Sequence, residues 1–135
     1  AHLLLAGNGA LLEHCKKLVK KLQMEKQIHF LGYMQQMQEL YPLCDAAVST
    51  SKVEGIPFNV LEAMSCGLPV LLSNIKGHRD LVENKEEFLF DTEQELCKKL
   101  VKNAVISAKP KDWTQNIKKY RLDVVKYPIL QLYLQ

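Results

Sequence analysis

Residues 46–72 read Ala46-Ala47-Val48-Ser49-Thr50-Ser51-Lys52-Val53-Glu54-Gly55-Ile56-Pro57-Phe58-Asn59-Val60-Leu61-Glu62-Ala63-Met64-Ser65-Cys66-Gly67-Leu68-Pro69-Val70-Leu71-Leu72. This stretch contains a strand, a polar loop, a helix and a second strand, in that order. Ala46–Thr50 is short and apolar enough for a strand. Pro57 suits the first turn of a helix, where its missing N–H costs nothing, and the spacing predicts a helix from about Pro57 to Cys66. Gly67-Leu68-Pro69 stops that helix, and Val70–Leu72 returns as a strand. A strand, a helix and a strand in sequence favour parallel pairing through a crossover connection.

The same alternation runs outward in both directions. His2–Ala6 is an apolar run closed by Gly7-Asn8-Gly9, and Leu11, Leu12, Cys15, Leu18, Val19 and Leu22 then recur at helical spacing. Lys16, Lys17, Lys20 and Lys21 fall on the opposite side, as the solvated face of an amphipathic helix does. Ile28–Leu31 is a further strand, and Met37, Leu40 and Tyr41 suit a short helix before Pro42. Beyond the central unit come a helix at Gly77–Val82, a strand at Phe88–Phe90 and a helix at Gln94–Val105. The expectation is an α/β domain with an open, Rossmann-like parallel sheet over residues 1–109, followed by a helical tail over 110–135. In such sheets ligands bind beyond the carboxyl ends of the strands. The loops to watch are therefore Gly7–Gly9, Gly32–Tyr33, Ser49–Gly55 and Ser73–His78.

Composition narrows the function. The chain has 135 residues, 47% hydrophobic and 24% charged, an ordinary globular balance. Eighteen Lys and Arg against fifteen Asp and Glu leave a net charge of +3, too even for a nucleic-acid binder. No apolar run has the length of a spanning helix, and no h-region of a signal peptide is present. Cys15, Cys44, Cys66 and Cys97 form no C-x-x-C pair, so they read as reduced thiols of a cytoplasmic protein, each sitting as a small hydrophobe. The histidines are scattered, and no metal is expected.

The chemistry concentrates at the start of the central helix. The amides near Phe58 and Asn59 have no partner within the helix, which makes its amino end a seat for an anion. Glu62 lies one turn on, on the same face, and helical side chains lean back toward the amino end. A carboxylate there repels phosphate but accepts hydrogen bonds from neighbouring sugar hydroxyls. Glu54 precedes the helix, with Gly55 allowing a ligand to approach the backbone closely. Two carboxylates flanking a phosphate seat suit a ligand with a diphosphate in the middle and a sugar at each end.

At this point the residues reach a family. Glu54 and Glu62, seven residues apart, stand in Glu-Gly-Ile-Pro-x-x-x-Leu-Glu-Ala-Met-x-Cys-Gly-Leu-Pro-Val. This resembles the EX7E signature of the carboxy-terminal, donor-binding half of retaining glycosyltransferases of family 4, with the GT-B fold. Leu4-Leu5-Ala6-Gly7-Asn8-Gly9 resembles the family's strand and glycine turn. Ile28-His29-Phe30-Leu31-Gly32-Tyr33 is similar to its V-x-F-L-G strand, and Leu40-Tyr41-Pro42-Leu43-Cys44-Asp45 to its L-Y-x-x-A-D segment. Gly77-His78-Arg79-Asp80-Leu81-Val82 is similar to its G-x-x-E-L-V helix, in the form found among bacterial capsule and exopolysaccharide enzymes.

The resemblance implies roles. Glu54, the catalytic candidate, contacts donor-sugar hydroxyls, and Glu62 the ribose hydroxyls. The amides of Phe58 and Asn59 meet the diphosphate, and Gly32 and Tyr33 line the nucleobase pocket. The donor is a UDP-sugar or another nucleoside-diphosphate sugar, the acceptor a polysaccharide or glycolipid, and transfer retains configuration without a metal or other cofactor. Gly7 and Gly9 serve either as a tight turn or as a phosphate contact; the dinucleotide fingerprint is excluded, since its third glycine would fall at Leu12. His78 and Arg79 serve either as a ligand contact or as an exposed polar turn.

The family's acceptor-binding half has no counterpart here, nor has the strand and helix that carry its diphosphate-binding Arg and Lys. The expectation is thus a fragment or one chain of a split transferase, inactive alone and prone to self-association. The alternative function is a non-catalytic nucleotide-sugar binding module. The tail, with Trp113, Ile117 and Tyr120 and then Leu122, Val125, Ile129, Leu132 and Tyr133 around Pro128, reads either as a helix docking on the missing half or as a peripheral contact with a membrane.

Overall fold

The structure is a computed structural model and describes residues 1–101 and 112–121. The chain divides into two units, Ala1–Met37 and Gln38–Gln135. In the first unit, strand β1 (Leu3–Ala6), helix α1 (Leu12–Lys21) and strand β2 (Ile28–Gly32) follow one another. The strands pair in parallel from Leu3 opposite Ile28 to Leu5 opposite Phe30, with a register shift before Ala6 meets Gly32. Their ends are tied by the Gly7 amide, which donates to the Gly32 carbonyl at 2.6 Å. Both glycines hold positive φ, +123° and +68°, a conformation that a side chain would strain. Along α1 the stripe Leu12, Cys15 and Val19 turns inward, and Val19 is buried, while Leu11 and Leu18 stay exposed. Glu13 in the first turn and Lys20 and Lys21 in the last complement the helix dipole.

The second unit carries the remaining elements. The chain enters it through α2 (Met37–Leu40) and a 3-10 turn at Tyr41–Leu43. Strands β3 (Ala47–Ser49), β4 (Val70–Ser73) and β5 (Leu89–Phe90) form a parallel sheet in the order β3-β4-β5. Helix α3 (Phe58–Ser65) joins β3 to β4, and α4 (Lys76–Val82) with a 3-10 turn at Glu86–Phe88 joins β4 to β5. After β5 come α5 (Glu93–Val101) and the short α6 (Thr114–Ile117), extended by a 3-10 turn to Tyr120.

Central β4 is apolar on both faces, as a covered parallel strand should be, and Val70, Leu71 and Leu72 expose 0% of their surface. Alternation sends Val70 and Leu72 into one cluster with Val60, Met64, Leu81, Val82, Phe88, Leu89 and Trp113. Leu71 points the other way, to Phe90, Leu96 and Leu100. The sheet is thus packed against α3 and α4 on one face and α5 on the other.

The parallel α/β architecture expected from the sequence is present, in two ladders, and several local expectations are corrected. Pro57 caps α3, which starts at Phe58, so its carbonyl serves the amides of Val60 and Leu61. The strand expected at Phe88–Phe90 is a 3-10 turn through Phe88 and only then β5. Cys97 is exposed, not packed as a small hydrophobe, and all four cysteines are free. Trp113 needs no outside partner: its ring meets Phe88 edge-on at 5.0 Å and its Nε1–H donates to the Leu68 carbonyl at 2.8 Å. Asn116 Nδ2 adds a buried bond to the Leu81 carbonyl. The end of the expected helix at Gln94–Val105 beyond Val101, the 109/110 boundary and the tail positions from Leu122 onward lie outside the described residues. Among the described residues, no helix is long and apolar enough to cross a membrane.

Candidate functional site

Helix α3 presents the two faces that its sequence dictates. Pro57, Val60, Ala63 and Met64 are buried against the sheet, while Phe58, Asn59, Glu62 and Ser65 are exposed. Glu62 therefore stands on the same open face as Phe58 and Asn59. The amides of Phe58 and Asn59 precede the first intrahelical bonds and have no acceptor among the described residues. Since α3 follows β3, this amino end opens at the carboxyl edge of the β3-β4-β5 sheet, the usual ligand edge of such sheets.

One neighbour fixes the Glu62 side of the site, and sequence reasoning did not assign it. Tyr41 is buried, and its hydroxyl donates to the Asn59 carbonyl at 3.0 Å and lies 3.4 Å from Glu62 Oε2. Burial first, and then the negative charge and hydrogen bond of Glu62, push the phenol up to about 12. Burial also raises the Cys44 thiol, with the Asp45 carboxylate adding to it. The one available signal for Tyr41 was its place in the L-Y-x-x-A-D-like segment.

Glu54 is held differently, by the loop after β3. Ser51 Oγ donates to Glu54 Oε1 at 2.8 Å, and Ser73 Oγ, at the end of β4, donates to the Ser51 carbonyl. The half-buried Glu54 thus hangs from two strand ends. Gly77 makes this seating possible, because a Cβ there would lie 2.5 Å from the Glu54 carbonyl oxygen. A Cβ at Gly55 would meet nothing within 4 Å, so that side of the loop is open.

The remaining candidates take other places. His78 is fully buried, which excludes the exposed polar turn considered for it; its Nδ1 is 2.8 Å from the Ser73 carbonyl. Arg79 spends its Nη1 on the Asn74 carbonyl and Asn74 Oδ1, both at 3.0 Å. Gly7, Gly9, Gly32 and Tyr33 belong to the first unit, where Gly9 accepts from the Leu12 amide and Tyr33 is exposed. Elsewhere in the second unit, a pocket of about 200 Å³ is lined by Asn74, Glu86, Leu89, Asp91 and Glu95, an acidic set unsuited to a phosphate. Among the described residues, no three His, Cys, Asp or Glu side chains gather as metal ligands would.

Residues 1–120 match the family model for glycosyl transferases group 1. The chain belongs to that family. Among curated relatives, EpsD of Bacillus subtilis, named as a glycosyltransferase, is 33% identical over 84 residues, which are 62% of this chain and 22% of EpsD. An Escherichia coli enzyme named UDP-Gal:alpha-D-GlcNAc-diphosphoundecaprenol alpha-1,3-galactosyltransferase is 33% identical over 82 residues, 60% of this chain and 21% of its own length. The chain thus spans about a fifth of these relatives. Among solved structures, Anabaena HepE in complex with UDP-glucose superimposes with a TM-score of 0.83 at 21% identity, over 98% of this chain and 40% of HepE. The fold of this glycosyltransferase chain is accordingly the Rossmann-like α/β fold found in GT-B enzymes.

Proposed function

We propose that this chain binds a nucleoside-diphosphate sugar, with a UDP-sugar favoured, and forms the donor-holding part of a retaining glycosyltransferase acting on a polysaccharide or glycolipid. The observation that carries the reading is the amino end of α3. Two unspent amides stand there on one open face with Glu62, whose carboxylate is steadied by Tyr41. The amides of Phe58 and Asn59 receive the diphosphate, Glu62 accepts from the ribose hydroxyls, and Glu54 accepts from hydroxyls of the transferred sugar. Cleavage of the bond between sugar and diphosphate builds negative charge on the leaving phosphate and positive character on the sugar ring. Preorganised amides at a helix start stabilise the first, and a carboxylate beside the ring stabilises the second. Membership of the family, and a relative whose name specifies transfer from UDP-Gal, support this reading.

Calorimetric titration with UDP and UDP-glucose tests it. The chain binds both; Glu62→Gln weakens both by roughly three- to tenfold, the loss of one charge-assisted bond, whereas Glu54→Gln weakens only UDP-glucose. An equal loss for both ligands in Glu54→Gln overturns the assignment of Glu54 to the sugar. A coupled assay for UDP release, run beside the titrations, separates binding from turnover.

A further inference from the structure

His78 is an expensive residue to keep where it is. Its ring is completely buried, and Nε2 has no hydrogen-bond partner among the described residues. A buried polar atom left without a partner costs stability that an apolar side chain of similar volume would not. Packing alone therefore gives no reason for an imidazole here; the reason lies at the other nitrogen.

We propose that His78 is a positioning residue for Glu54, acting through Ser73 and Ser51; this rests on the nucleotide-sugar reading above for its functional consequence. Nδ1 lies 2.8 Å from the Ser73 carbonyl, which only accepts, so Nδ1 carries the hydrogen. The same nitrogen lies 3.2 Å from Ser73 Oγ. With the one Nδ1–H shared between the carbonyl and the lone pairs of this oxygen, the Ser73 hydroxyl turns its own hydrogen outward, to the Ser51 carbonyl. Ser51 in turn donates its hydroxyl to Glu54 Oε1 at 2.8 Å. The relay ends on one oxygen of the carboxylate and leaves the second to accept from a ligand.

Geometry around the relay closes the remaining freedom. Gly77, next to His78, lets the backbone of Glu54 and Gly55 rest against the start of α4; a Cβ would stand 2.5 Å from the Glu54 carbonyl oxygen and 3.1 Å from that of Gly55. Leu81 and Val82, with 0% exposure on the same helix, hold α4 rigidly in the core. The imidazole thus transmits the rigidity of the core to a loop that has few apolar contacts of its own, since Val53 and Ile56 are exposed.

Three variants test this: His78→Leu, which removes the donor; His78→Asn, whose amide places a donor near the Nδ1 position; and Ser73→Ala, which cuts the relay with little change in volume. The first readout is amide hydrogen exchange over residues 50–56. Exchange there rises about tenfold in His78→Leu and Ser73→Ala, the amides of residues 70–72 keep their protection, and His78→Asn recovers most of the difference. The second is titration with UDP and UDP-glucose. In the two disruptive variants the advantage of UDP-glucose over UDP shrinks about fivefold, while UDP itself binds within twofold of the parent chain. Unchanged loop exchange in Ser73→Ala overturns the relay, and so does a rise spread equally over the whole second unit. If the parent chain binds neither ligand, the nucleotide-sugar reading fails, and the exchange data alone decide the relay.

Discussion

Helices α1 and α3 each follow a parallel strand and lead to another, yet they are anchored very differently. Of α1 only Val19 is buried, and Leu11, Leu18 and Leu22 face outward beside β1, in which no residue is buried. Helix α3 buries Val60, Ala63 and Met64 against a strand whose first three residues have no exposure at all. The contrast shows what it takes to aim a side chain. A carboxylate on a helix is as well placed as the opposite face of that helix is packed, and Glu62 has the core of the second unit behind it. In the first unit, Gly7 and Gly32 are held by a backbone bond and their own positive φ. Such a turn shapes a backbone surface rather than pointing a functional group.

The sharpest way to break the contrast is to remove what the second unit rests on. Trp113→Ala deletes both the contact with Phe88 and the bond to the Leu68 carbonyl. It should cost about 3–5 kcal/mol, read by far-UV circular dichroism in a urea series. A loss below about 1 kcal/mol would detach residues 113–120 from the core of this unit.

Tyr41→Phe comes next, with an expected loss of about 1 kcal/mol and UDP binding weakened about threefold. Its pH dependence has a definite sign. The folded phenol titrates at about 12 against the ordinary 10.0. Its contribution is fully present below pH 10 and disappears as pH rises through the interval to 12. Difference absorbance titration of parent and variant should show one phenol leaving at that upper value. A phenol that leaves near 10 would mean that Tyr41 is not buried against Glu62.

In the first unit, Leu11→Ala should change stability by less than about 0.5 kcal/mol, because this leucine is 70% exposed. A larger loss in the same urea series would show that α1 is anchored as firmly as α3. Smallest of all is Lys76→Ala. The pair with Asp80, 2.6 Å long but exposed on both sides, should leave the melting temperature unmoved. Its visible effect is on Asp80, whose carboxyl the hydrogen bond and charge of Lys76 hold below the usual range. A carboxyl resonance that titrates higher in the variant confirms the pairing; an unshifted one refutes it.

What could be read from the sequence was local. Pro57 and the Gly67-Leu68-Pro69 break bounded α3, and the one-turn spacing of Glu62 from Phe58 and Asn59 placed the three on one face. What could not be read was tertiary. His78 sits in a polar run, and only the meeting of α4 with the end of β4 shows it to be buried on the Ser73 carbonyl. Tyr41 reaches Asn59 and Glu62 from a 3-10 turn outside the helix that carries them, and no periodicity links those positions. Trp113 read as a surface in search of a partner because Phe88 and Leu68 become its neighbours only on folding. The bounds of β5 slipped because Phe88 has strand chemistry but closes a turn on the Lys85 carbonyl.

The bond from Trp113 to Leu68 spans 45 positions of sequence, and this separation sets a timetable for synthesis. At about 5–20 residues per second, a ribosome takes roughly 2–9 s to add that many residues. During those seconds α3 and β4 are already outside, but the indole that closes their cluster is not. The nascent chain therefore passes through a stage in which α3 exists with one wall of its core still wet, the stage at which a holdase chaperone has most to grip.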